Sequence, residues 1–103
     1  MRALAFHFTS PLTIEEMKPR LERAVDWTWY ARDNDRWGDY YSAAPLPDLQ
    51  IKLLYDPDGG YGLDINYKAA TPDPRFEAIL DTVQTSILPA IEAGGIEQVD
   101  SYE

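Results

Sequence analysis

The order strand, helix, strand, strand, helix, strand predicts an α+β fold of the ferredoxin-like, split βαβ kind. Three features carry it: an alternating apolar strand near the N-terminus, two amphipathic helices, and a turn-closed hairpin between them. The expected domain spans residues 1–103, with two helices on one face of an antiparallel sheet of four strands, or five if residues 37–43 also pair.

The elements follow from local chemistry. In residues 3–9, Leu4, Phe6 and Phe8 alternate with Ala3, Ala5 and His7, as a strand with one buried face requires. Thr13-Ile14-Glu15-Glu16 is a capping box, and Ile14, Met17, Leu21, Ala24 and Val25 recur at helical spacing after it. Pro19 lies inside that pattern without an amide hydrogen, so it kinks the helix or starts a second one. The helix should end near residues 26–29. Pro45 and Pro47 oppose regular pairing at the centre of a sheet.

Leu49, Ile51, Leu53 and Tyr55 then mark a strand, and Asp56-Pro57-Asp58-Gly59-Gly60 a turn. The returning strand covers 61–69, with Leu63, Ile65 and Tyr67 on one side, so the pair is a β-hairpin. Pro72-Asp73-Pro74 opens the second helix, whose stripe is Phe76, Ile79, Leu80, Val83, Ile87 and Ile91. Pro89 should bend its last turn, and Gly94-Gly95 should stop it. An acid-rich strand at 96–102, at a sheet edge, closes the chain.

Charge and composition bound the function. Eighteen acidic residues against nine basic give a net charge of −9. Nucleic acid and anionic membranes are therefore unexpected partners, because both demand a basic footprint. An acidic surface instead attracts a basic protein, although it also serves solubility alone. The chain has no cysteine, no signal-peptide pattern and no run approaching a membrane span, which together suggest a cytoplasmic protein.

Most catalytic readings fail on residue type. His7 is the only histidine, and no motif fixes a second titratable group beside it. The loops beginning at Asp33 and Asp56 lack the full ligand set of a calcium loop; Ala44 stands where the first would need its bidentate glutamate. The glycines at 59, 60 and 62 lie in a hairpin, whereas a phosphate cradle needs a helix N-terminus behind it. No catalytic residue, metal or cofactor is expected.

The densest signal is aromatic. All three tryptophans, Trp27, Trp29 and Trp37, fall within eleven residues, joined by Tyr30, Tyr40 and Tyr41 and interleaved with Arg32, Asp33, Asp35, Arg36 and Asp39. One reading is structural: the indoles cap the core, and Tyr40 and Tyr41 alternate across a strand, one in and one out. The other is recognition, because Tyr, Trp and Arg carry binding energy at interfaces. On that reading Trp29, Arg32, Asp33, Asp35, Arg36, Trp37, Asp39 and Tyr40 meet a protein partner, expected to be basic.

The run Arg32-Asp33-Asn34-Asp35-Arg36-Trp37-Gly38-Asp39-Tyr40 follows a helix that ends in tryptophans and precedes an acidic hairpin. In this the chain resembles small acidic immunity proteins of bacterial polymorphic toxin systems, over about a third of its length. The resemblance implies one-to-one binding of a cognate toxin without catalysis. The alternative is a dimeric α+β-barrel that binds a small ligand or acts on it. There His7, Tyr61, Tyr67 and a tryptophan would line a pocket, and the chain would form a homodimer.

Overall fold

The computed structural model describes residues 2–34, 38–56, 59–68 and 74–102. Six strands form one open antiparallel sheet: β1 (Arg2–Thr9), β2 (Tyr30–Asn34), β3 (Gly38–Leu46), β4 (Leu49–Tyr55), β5 (Tyr61–Tyr67) and β6 (Gly94–Tyr102), in the order β2-β3-β4-β5-β1-β6. Helix α1 (Ile14–Ala24) crosses from β1 to β2. Helix α2 (Pro74–Thr82), a π-helical segment (Val83–Ile87) and a last turn α3 (Leu88–Ala90) cross from β5 to β6.

The α+β class and the antiparallel sheet are as expected. The ferredoxin-like count of four or five strands is corrected to six. The aromatic segment contributes β2 and β3, a hairpin at one edge of the sheet, so the α1 crossover passes over three strands. Polar, charged β2 escaped the pattern because an edge strand has few side chains to bury.

The core forms where the apolar alternation meets the helix stripes. Leu4, Phe6 and Phe8 of β1, Leu49, Ile51 and Leu53 of β4, and Leu63, Ile65 and Tyr67 of β5 are buried against Ile14, Met17, Leu21, Phe76, Ile79, Leu80, Val83 and Ile87. The expected hairpin pairs in full register, from Leu49 opposite Tyr67 to Tyr55 opposite Tyr61. Gly60 is obligatory at its turn: φ is +78°, and a Cβ there would lie 2.5 Å from the Phe8 carbonyl oxygen. Pro45 falls where the β3–β4 register shifts, between Ala43 and Leu46, so it interrupts no regular ladder.

The capping box forms as read. The Glu16 amide donates to the Thr13 hydroxyl (3.2 Å), and the Thr13 amide donates to the Glu16 carboxylate (3.0 Å). Helix α1 runs through Pro19 as one element, with the proline on its exposed side. In the second crossover the Pro89 ring would collide with the carbonyl of residue 85 in a regular α-turn. A π segment, with the Leu88 amide bonded to the Val83 carbonyl, precedes it. The stop expected at Gly94-Gly95 comes earlier. Glu92 takes φ +53°, its amide donates to the Pro89 carbonyl, and the Ala93 amide to the Leu88 carbonyl, a Schellman end. Gly94 and Gly95 open β6 instead.

Candidate functional site

Period two decides where the aromatic segment's side chains go. Residues directly opposite in an antiparallel pair share a face. Ala31 lies opposite Tyr41 and Asp33 opposite Asp39, while Tyr30 lies opposite Ser42 and Arg32 opposite Tyr40. Tyr41 packs against the core under α1, so Ala31, Asp33 and Asp39 share the helix side. Tyr30, Arg32, Tyr40 and Ser42 therefore occupy the open side. Tyr40 and Tyr41 do alternate, one out and one in.

The expected recognition patch is thus divided between two faces. Trp29 leaves it altogether. It is 5% exposed and belongs to the core, with its ring 6.1 Å from that of half-buried Trp27. Its position corrects the expectation of a partner-binding indole: residue 29 continues β2 on the side that faces the helices. Its Nε1–H has no hydrogen-bond partner, a desolvation cost the surrounding packing must outweigh. Asp35, Arg36 and Trp37 lie outside the described residues.

On the open side, Arg32 Nε donates to the Ser42 hydroxyl (3.5 Å), and the Arg32 guanidinium lies over the Tyr30 ring (5.5 Å). Lys52 reaches over the Tyr40 ring (5.8 Å). On the helix side, a cleft of about 300 Å³ opens between the first turn of α1 and the β2–β3 hairpin. Ile14, Glu15 and strand segments 31–33 and 39–41 line it. Glu15 carries no signal of a site in the sequence. A helix-start acid is common on a solvated face, and nothing in the spacing says that strand β3 runs beneath it.

Three carboxylates dominate this cleft. Asp33 and Asp39 face each other across the hairpin, a like-charge pairing that is unfavourable when left uncompensated. Among the described residues no cation forms an ion pair with Glu15, Asp33 or Asp39. The nearby phenols register the negative field. Burial raises the Tyr41 phenol above its ordinary value of 10.0, and the Glu15, Asp39 and Glu22 carboxylates raise it further. The Tyr55 phenol is raised by burial, then chiefly by Glu15, Tyr61 and Asp39. The Tyr61 phenol is raised by burial, Glu15 and Glu16. Lys18 sits at the cleft's margin, 6.0 Å from the Tyr41 ring centroid.

The pocket of the alternative reading does not assemble within the chain. Tyr61 and Tyr67 face the helices. The Tyr61 hydroxyl donates to the Leu12 carbonyl (2.6 Å), and the Tyr67 ring stacks on Phe76 (4.7 Å between centroids). His7 is on the opposite face, with Nδ1 2.9 Å from an Asp56 carboxylate oxygen. The partners are 49 residues apart, and only the β1–β5 pairing, which brings the start of β5 beside His7, places them together. Asp64 lies beside them on β5; burial raises its carboxyl above the ordinary value, against the opposing pull of His7 and Lys52.

No protein-family model matches the chain, and no curated protein matches it. Among the described residues, no helix is long and apolar enough to cross a membrane.

Proposed function

We propose that this chain is a non-catalytic binding module that takes a basic segment of a partner protein into the cleft between α1 and the β2–β3 hairpin. Its most concrete form is an immunity protein that neutralises a basic toxin in the cytoplasm. The observation that carries the reading is the meeting of Glu15, Asp33 and Asp39 on one side of the hairpin, beside Tyr41 and Tyr55. A lysine or arginine inserted there gains two carboxylates that otherwise repel, a third above them, and electron-rich rings alongside. The net charge of −9 adds long-range attraction for the same kind of partner.

The Arg32 and Tyr40 side chains are not needed for this contact, because the strand register sends them to the other side of the sheet. The binding surface proposed is therefore narrower than the whole aromatic run, and more acidic.

The test is capture from an extract of the native host by immobilised wild-type chain and by an Asp33→Lys/Asp39→Lys variant. Wild type should retain a basic protein that the variant loses. Retention should weaken as salt rises from about 50 to 200 mM, as screening of exposed charges requires. Equal retention by both chains would overturn the proposal, as would recovery of acidic partners alone.

A further inference from the structure

The open side of the sheet is uncovered by either helix, and its side chains run in continuous rungs across all six strands. One rung reads Tyr30, Ser42, Lys52, Asp64, Ala5 and Val99 from β2 to β6. The next pairs Arg32 with Tyr40 on β2 and β3, continues in the same register to Leu54, and passes through Gly62 and His7 to Glu97. Both rungs have their midpoint between β4 and β5.

From this pattern we infer that the open face binds a second copy of the chain, with a two-fold axis parallel to the strands and lying between β4 and β5. A two-fold contact brings the same patch against itself, so each rung must complement its own reversal. It does. Lys52 meets the second copy's Asp64, Arg32 meets its Glu97, and Tyr40 lies over its His7. Leu54, whose side chain already leans over Gly62 in its own copy, meets its counterpart near the axis. Tyr30 and Val99, 55% and 46% exposed, are two of the four large hydrophobic residues exposed among the described positions. They stand at opposite ends of one rung, and the two-fold sets each on the other. Small residues, Ala3 and Ala5 on β1 and Gly62 on β5, leave that side of the midpoint low enough for another sheet to approach.

The size of the contact sets its strength. Six strands spaced about 4.8 Å, each giving about six residues at 3.3 Å, present a face of about 600 Å². Two such faces bury about 1,200 Å², the lower end of stable interfaces, which suits a micromolar dimer. Twist crosses the two sheets at about 30°, so pairs nearest the axis, Lys52 with Asp64 and leucine with leucine, align best. The inference goes beyond the proposed recognition role and is independent of it, since the acidic cleft stays open on the helix side of both copies.

Charge-reversal mixing tests it by light scattering coupled to size exclusion, at roughly 100 µM chain, well above a micromolar dissociation constant. Wild type should scatter at twice the 11.7 kDa chain mass. Lys52→Glu gives each copy two acids at the paired positions and should be monomeric. Asp64→Lys gives each copy two lysines there and should also be monomeric. An equimolar mixture of the two should recover the dimer, because every cross-axis pair is then opposite in charge. Arg32→Glu and Glu97→Arg form a second such set on exposed side chains, and decide the matter if the first set fails to fold by circular dichroism. A monomeric wild type overturns the inference. So do single variants that remain dimeric, or mixtures that stay monomeric.

Discussion

Leu53 and Leu54 are neighbours on one strand and live in different solvents. Leu53 is wholly buried between the sheet and the helices, whereas Leu54 lies half-buried on the open face. The same alternation, continued into the aromatic segment, sends Asp33, Asp39 and Tyr41 to the helix side and Tyr30, Arg32 and Tyr40 to the other. A charge-rich run that looks like one patch in the sequence becomes two surfaces, one acidic and cleft-shaped, one bipolar and flat. Adjacent residues on a strand belong to different sites, and residues from strands far apart in sequence belong to one.

The largest effect should come from breaking the contrast at its origin. Leu53→Ala is expected to cost about 2–5 kcal/mol, since both the transfer energy and the cavity count against it. Leu54→Ala should cost less than about 1 kcal/mol in the monomer. Urea unfolding at low protein concentration measures both; equal costs would mean that the two faces are alike.

A smaller effect sharpens the account of the acidic cleft. The phenols of Tyr41, Tyr55 and Tyr61 are raised, so the stability they contribute is fully present below the unfolded value of 10.0 and is lost as pH rises through the folded values. Glu15 raises all three, so Glu15→Gln should move their ultraviolet titration to lower pH and delay alkaline unfolding. An unchanged titration curve would mean that the Glu15 carboxylate is not directed at the phenols.

The smallest effect lies away from both faces. Glu92 holds the left-handed position that ends the second crossover, a conformation costing an L-residue about 1–2 kcal/mol. Glycine relieves that cost but frees the unfolded chain, and it gives up the 3.1 Å ion pair with Arg20, itself worth about 0–1 kcal/mol at the surface. Glu92→Gly should therefore raise stability by a net of about 0.5 kcal/mol in thermal melts. A loss of stability would assign the ion pair the greater share.

The legible parts of the fold are those with strong local signals. β1, the β4–β5 hairpin, the Thr13 cap and the apolar stripe of the second crossover each follow from spacing within about twenty residues. β2 was not legible, because an edge strand of Tyr, Ala, Arg, Asp and Asn has neither an apolar face nor β-branched residues to announce it. The helix stop shifted from Gly94 to Glu92 because packing and the Schellman hydrogen bonds held a non-glycine residue in a glycine conformation. The site was half legible. Asp33 and Asp39 were singled out by composition. Glu15 enters only because the first turn of α1 lies across a cleft from their hairpin, and Trp29 drops out because it is buried in the core.

The sequence by itself determined the alternation of strands and helices, the capped start of α1, the excess of acid, and the segment in which charge and aromatic rings concentrate. These are short-range properties, fixed by side-chain period and backbone preference. Only the tertiary structure decided that the aromatic segment pairs as an edge hairpin, which of its residues turn toward α1, and that His7 meets Asp56. Those outcomes depend on register between strands far apart in the chain, where a shift of one residue would send every side chain to the opposite face.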